Sequence, residues 1–139
     1  MSNDLKPELS KKNQYYIDRH RYYELKHFCL QYRNWKSAVS RMDGYSNVHA
    51  YIVAKTVDGR IRDSTETTVE AREIYANHIA LVENAAKETD SYFGGYILKA
   101  VTNGWTYEYL RTVCKIPCCR GTYYELYRRF FWLLDKARK

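Results

Sequence analysis

Residues 104–134 read GWTYEYLRTVCKIPCCRGTYYELYRRFFWLL, which is the pattern of two helices separated by a short break. Thr106 can cap the first helix, because its side-chain oxygen can accept a hydrogen bond from a free amide of the first turn. Pro117 ends that helix, because the residue before a proline is pushed out of the helical region. Thr122 can cap the second helix, which we expect over about Cys119 to Ala137.

The second of these helices has an apolar face and a charged face. Apolar and aromatic residues recur at three- and four-residue spacing, at Tyr123, Leu126, Tyr127, Phe130, Leu133 and Leu134. Glu125, Arg128, Arg129 and Lys136 fall largely on the other side. Two helices joined by a tight turn, the second amphipathic and carrying arginines, are the pattern of a helix-turn-helix that reads DNA.

The chain before this stretch also has helical periodicity. It predicts one helix, or two with a bend near Gln31–Asn34, from about residue 13 to residue 42, ended by Asp43-Gly44. A further helix is expected from near Thr65, and another runs from Asp90 or Ser91 to about Thr102. Gly94-Gly95 lies in its first turns and indicates either close helix packing or a late start of the helix.

Residues 45–64 interrupt the helical rhythm with turn signals such as Asp58-Gly59. The interruption predicts either a short hairpin or a long irregular loop. The fold class is therefore all-α, a helical bundle with a carboxyl-terminal helix-turn-helix. We expect a scaffold and oligomerisation region at 1–89 and a DNA-binding region at 90–139, either as two parts or as one compact domain.

The net charge of +7 is unevenly distributed over the 139 residues. Residues 105–139 hold eight Lys/Arg against three Asp/Glu, whereas residues 58–90 hold four against eight. A basic carboxyl-terminal part suits a nucleic-acid partner. The alternative is that moderate positive charge only keeps a small protein in solution.

Membrane, metal and catalytic functions find little support in the sequence. No apolar run approaches the ~20 residues of a membrane span, and the amino end is too polar for a secretory signal. The four cysteines predict reduced thiols in a cytoplasmic protein rather than a disulfide framework. Their spacing, with four distant histidines, predicts no metal site, no cofactor and no enzyme. Cys118, near a helix start, is expected to have a lowered thiol pKa.

The carboxyl-terminal segment resembles the helix-turn-helix of sigma-factor region-four-like proteins. The resemblance is carried by Thr-Tyr-Glu-Tyr-Leu at 106–110, Cys-Lys-Ile at 114–116, Arg-Gly-Thr-Tyr-Tyr at 120–124 and Arg-Arg-Phe-Phe at 128–131. Lys115 stands where such modules have a corner glycine, and Arg111 where they have a small residue.

The order of helices along the chain is also similar to RinA- and ArpU-type regulators of phages and prophages of Firmicutes. This similarity implies control of viral genes in the cytoplasm of a bacterial host cell. The expected partner is double-stranded DNA, bound by a homodimer. The alternatives are a phage protein that binds a host protein such as RNA polymerase or a defence nuclease, and a small DNA-packaging subunit.

The DNA-binding hypothesis names particular side chains at the two helices. The expected contacts are Thr106, Tyr107, Arg120, Thr122, Tyr123, Tyr124, Arg128 and Arg129. Arg120, Thr122, Tyr123 and Tyr124 are candidates for base edges and nearby phosphates, and the two later arginines for phosphates. The hypothesis requires Arg120, Arg128 and Arg129 to face outward, without neutralisation by acids of the same chain.

Overall fold

A computed structural model describes the backbone of residues 11–55 and 59–138 and the side chains of residues 11–43 and 69–138. The described residues form helices joined by short turns, without strands. The all-α prediction is therefore confirmed. In chain order the helices are α1 (Arg19–Leu30), α2 (Tyr32–Lys55), α3 (Gly59–Thr89), α4 (Gly94–Asn103), α5 (Tyr107–Thr112) and α6 (Arg120–Ala137).

The hairpin or irregular loop expected over 45–64 is wrong, because α2 continues to Lys55 and α3 begins at Gly59. Asp43-Gly44 does not end the helix. A glycine inside a helix costs about 1 kcal/mol relative to alanine, which neighbouring helix formers can offset. The alternating apolar residues at 48, 50, 52 and 54 are also spaced four apart in pairs, so they fit a helix as well as a strand.

The amino-terminal helix begins later than the periodicity predicts. Asp18 caps α1, and its carboxylate accepts a hydrogen bond from the His20 amide at 3.0 Å. Gln31 then separates α1 from α2, which confirms the predicted bend near this position.

The chain divides into two units. One unit takes the chain up to Tyr32 and from Leu81 onward, and the other comprises Arg33–Ala80. In the first unit α1 packs against α4 and α6, and α4 also packs against α5 and α6. The candidate DNA-binding helices thus share a core with the amino-terminal helix.

Helix α6 supplies the centre of that core. Phe130, Phe131 and Leu134 are completely buried. The ring of Phe131 lies 5.2 Å from the ring of Tyr22 on α1, and the Tyr22 and Tyr127 hydroxyls are 2.6 Å apart. The apolar side of α6 therefore packs directly against α1.

Glycine is required at the start of α4, where this helix approaches the end of α3. A Cβ atom on Gly94 would lie 2.7 Å from the carbonyl oxygen of Ala86, which is closer than real Cβ contacts. A Cβ on Gly95 would meet nothing within 4 Å. Both interpretations of this Gly-Gly pair are confirmed, because Gly94 packs closely against α3 and α4 begins late, at Gly94 instead of Asp90 or Ser91. Asp90 precedes the helix, and its carboxylate accepts from the amides of Tyr92 and Phe93 at 2.8 Å each.

The second unit consists of most of α2 and the greater part of α3. Trp35 is buried, and its ring centroid lies 4.9 Å from that of His78. An exposed ion pair joins Arg72 to Asp43 at 2.6 Å. In the part of the chain that is described, no helix is long and apolar enough to cross a membrane.

Candidate nucleic-acid interface

The two helices of the predicted helix-turn-helix are α5 and α6, and hydrogen bonds between residues close in sequence define α5. The Thr106 hydroxyl accepts from the Tyr109 amide at 3.2 Å and caps α5, as predicted. The Ile116 amide donates to the Leu110 carbonyl at 3.0 Å and folds the chain back after α5. Cys119 rather than Thr122 is the N-cap residue of α6.

The turn between the helices contains a residue in the left-handed region of the backbone. Lys115 has a φ of 57°, and no other non-glycine residue in the described part of the chain has a positive φ. This conformation favours glycine. Lys115 thus keeps a glycine-like conformation and adds an exposed positive charge.

Two tyrosines that were expected to contact DNA are structural. Tyr107 is 6% exposed and Tyr123 is 2% exposed. Their ring centroids lie 5.5 Å apart, and the Tyr107 hydroxyl donates to the Cys118 carbonyl at 2.7 Å. Burial raises the pKa of Tyr123. The structure corrects both assignments, because these side chains join α5 to α6 and leave little area for a partner.

Arg120 lies at the exposed start of α6. Its guanidinium donates to the Tyr124 hydroxyl at 3.1 Å and stacks near the Tyr107 ring, 5.1 Å from the centroid. It also forms an ion pair with Glu108. Arg120 therefore faces outward, as the hypothesis requires, but its ion pair with Glu108 does not meet the second requirement, that no acid of the same chain neutralises it.

Thr122 and Tyr124 follow Arg120 in the first turns of α6. Thr122 is exposed and Tyr124 is half-buried. Thr122 Oγ1 lies 3.3 Å from Cys119 Sγ. Thr122 also lines a shallow cleft of about 350 Å³, formed with Tyr15, Gly121, Glu125, Leu126 and Arg129.

The two later arginines of α6 have different surroundings. Arg128 pairs with Glu125 at 3.0 Å, and its side chain is 21% exposed. Arg129 instead binds the end of α3, where its guanidinium donates to the carbonyls of Thr89 at 3.2 Å and Glu88 at 3.3 Å. Arg129 also donates to the Tyr15 hydroxyl at 3.3 Å. The last carbonyls of a helix lack partners within the helix, so Arg129 terminates α3 and does not face outward as the DNA-binding hypothesis requires.

Replacing Arg129 by alanine should therefore affect stability more than DNA binding. We expect the free energy of unfolding to fall by about 1–2 kcal/mol, because three acceptors lose a charged donor. Arg111→Ala is the matched control and should change stability by less than about 0.5 kcal/mol, since the Arg111 side chain is 59% exposed and its removal breaks one surface ion pair. Urea unfolding followed by circular dichroism measures both. Equal losses for the two variants would contradict the terminating role of Arg129.

Sequence reasoning missed three charged residues beside the candidate contacts. Arg111 donates to Glu108 at 3.2 Å, so Glu108 lies between Arg111 and Arg120, and Lys115 is exposed in the turn that follows α5. The three-residue spacing of Glu108 and Arg111 on a helix predicts their pairing. The pairing of Glu108 with Arg120 depends on the fold of the turn and has no local signal.

The prediction of a lowered pKa for the Cys118 thiol is wrong. Burial raises the pKa of this thiol, and the neighbouring Cys119 raises it further. The hydrogen bond from the Thr122 hydroxyl lowers the pKa of the exposed Cys119 thiol. All four cysteines are free thiols. Among the described residues, no group of three His, Cys, Asp or Glu side chains lies close enough together to hold a metal ion.

Comparison of the chain with models of protein families, with curated proteins and with solved structures gives no significant match. The assignment of a function therefore depends on the side chains around α5 and α6.

Proposed function

We propose that this protein binds double-stranded DNA through the first two turns of α6. The main support for the proposal is that buried and exposed side chains lie on opposite sides of the start of this helix. Tyr123 is buried, whereas Arg120 and Thr122 are exposed and Tyr124 is half-buried beside them. A helix that is anchored on one side and polar on the other at its amino end suits insertion into the major groove, where the first residues of a recognition helix contact base edges.

The charge of the region supports the same partner. Residues 105–139 carry a net charge of +5, from eight basic and three acidic residues. The ion pairs of Arg111, Arg120 and Arg128 with Glu108 and Glu125 lie at the surface. Surface ion pairs contribute little to stability, so phosphate groups can replace the carboxylates at small cost.

The backbone at Lys115 supports a helix-turn-helix geometry. Its φ of 57° places a left-handed residue where the sigma-factor-like motif has its corner glycine. With the resemblance to RinA- and ArpU-type proteins, this feature supports a role as a transcriptional regulator of phage or prophage genes. A single reader of this kind needs a second half-site for affinity. We therefore also propose a homodimer, which sedimentation equilibrium would test.

Arg120→Ala tests the DNA-binding surface. We expect the affinity for DNA fragments selected from a genomic library to fall about tenfold, and the slope of log affinity against log salt to fall by about 1, because one phosphate or base contact is lost. Fluorescence anisotropy at several salt concentrations measures both quantities.

Lys136→Ala is the control for this experiment, since Lys136 is exposed near the other end of the same helix, about 24 Å away at 1.5 Å per residue. It should change the affinity less than twofold. Equal effects of the two substitutions would indicate that net charge alone binds DNA. Wild-type protein without salt-dependent DNA binding would rule out the proposal.

A protein partner is the second candidate, and an exposed apolar face on the outside of α5 favours it. Val113 is 58% exposed and Tyr109 is 38% exposed. Trp105 lies beside them, with its ring centroid 4.6 Å from that of Tyr109. A complex with a host protein through this face should persist at high salt and survive Arg120→Ala, whereas a DNA complex should not.

A further inference from the structure

We propose that Arg111 and Arg120 form a site for one phosphate group of the DNA backbone, and that Glu108 occupies this site in the free protein. The inference rests on the proposed function and adds a contact from α5 that the sequence does not indicate. It also gives the protein an internal competitor for its own ligand.

The geometry places two cations around a single anion. Arg111 Nη2 donates to Oε1 of Glu108 at 3.2 Å, and Arg120 Nη2 donates to the other oxygen, Oε2. Two guanidinium groups from two helices therefore reach the two oxygens of one carboxylate. A phosphate group offers equivalent oxygens to the same donors, and guanidinium groups bind phosphate and carboxylate with the same forked geometry.

The site is open to solvent. The side chains of Arg111, Arg120 and Glu108 are 59%, 50% and 51% exposed. A partner that approaches the surface can therefore contact both guanidinium groups without a rearrangement of the core. Exposed pairs of this kind are weak, which allows exchange of the carboxylate for a phosphate.

Arg120 is oriented by groups that do not depend on Glu108. The Tyr107 ring lies under its guanidinium, and the Tyr124 hydroxyl accepts one of its hydrogen bonds. Tyr107 is itself fixed by burial and by its bond to the Cys118 carbonyl. Loss of the Glu108 charge should therefore leave Arg120 close to its present position, ready to bind another anion.

The charge of Glu108 opposes a phosphate at the same place. With Glu108 ionised, two guanidinium groups face one carboxylate, and a bound phosphate has to displace that carboxylate and remain near it. Like charges placed side by side disfavour binding. The consequence is a protein whose affinity for DNA in general is held down, so that contacts to particular bases contribute a larger share of binding.

Glu108→Gln tests the inference. We expect the variant to bind the selected DNA fragments about tenfold more tightly than wild type, because the repulsive carboxylate is gone. The gain should disappear in Glu108→Gln/Arg111→Ala.

Glu24→Gln is the matched control, since Glu24 is an exposed acid that also pairs with an arginine three residues away, Arg21, at 2.7 Å. This control makes the same change of net charge on α1 and should alter the affinity less than twofold. Thermal unfolding checks that the variants are folded.

The outcomes separate the inference from the proposed function. If wild type binds DNA and Glu108→Gln binds no more tightly, or gains no more than Glu24→Gln, the inference is wrong and the proposed function stands. If no variant binds DNA, the proposed function is wrong. The site is then tested with inorganic phosphate, by following the Nε–Hε signals of Arg111 and Arg120 in the NMR spectrum of Glu108→Gln. Shifts of both signals, absent for the remaining arginine in Glu108→Gln/Arg120→Ala, would support an anion site, and unchanged signals would rule it out.

Discussion

Replacing Phe131 by alanine should lower the free energy of unfolding by about 3–5 kcal/mol, the usual cost of removing a buried aromatic ring. Phe131 is completely buried in α6 and contacts rings from two parts of the sequence. Its ring centroid lies 5.2 Å from that of Tyr22, 4.9 Å from that of Tyr127 and 5.0 Å from that of Phe130. The substitution leaves a cavity at the junction of α1 and α6, which the rigid neighbouring rings cannot fill.

Chemical denaturation followed by tryptophan fluorescence measures this loss. Tyr92→Ala is the control, because Tyr92 is also aromatic but is 64% exposed. Its removal should cost less than about 1 kcal/mol. A loss of less than about 1 kcal/mol for Phe131→Ala as well would show that the packing of α1 against α6 contributes little to stability. Since small domains are stable by only about 5–15 kcal/mol, Phe131→Ala should leave a substantial unfolded fraction at elevated temperature.

Replacing Gly94 by alanine should destabilise the protein by about 2–3 kcal/mol, in the upper part of the range for overpacked sites. The added methyl group would lie 2.7 Å from the Ala86 carbonyl oxygen. This oxygen belongs to the backbone of α3, so relief requires a shift of one helix against another rather than a rotation of a side chain.

Gly95→Ala provides the opposite expectation one residue later. Its Cβ would enter open space, and alanine is a better helix former than glycine, so this variant should gain up to about 1 kcal/mol. Thermal unfolding of the two variants gives the difference directly. A stabilised Gly94→Ala variant would show that α4 can move away from α3 without cost.

Local signals predict the carboxyl-terminal helices only in part, because α5 ends at Thr112, before Pro117, and Thr122 does not cap α6. Thr106 caps α5, and Gly104, with a φ of 72°, ends α4. These features depend on residues that are close in sequence. The course of the chain over 45–64 is different, because α2 continues through Gly44 and only Gly59, of the residues that signal a turn, lies at the start of a helix. Turn-forming residues alone therefore do not determine where a long helix ends.

The candidate site could be predicted only in part. The exposed start of α6 follows from its amphipathic pattern, which also placed Tyr123 on the apolar face and so indicated its burial. The role of Arg129 could not be predicted, because its acceptors on α3 are 40 and 41 residues away in sequence. Long-range pairs of this kind depend on how the helices pack against each other, which the periodicity of each separate helix does not determine.

The amino-terminal and carboxyl-terminal helices complete a single folding unit, and this arrangement has a consequence for biosynthesis. Helix α1 packs against α4 and α6, and Arg21 on α1 also binds Asp135 on α6 at 2.6 Å. During translation, α1 therefore leaves the ribosome long before the residues that cover its apolar side have been made. Contacts between distant parts of a chain slow folding, and exposed apolar surface favours aggregation of incomplete chains. The nascent chain should depend on chaperones until α6 is released.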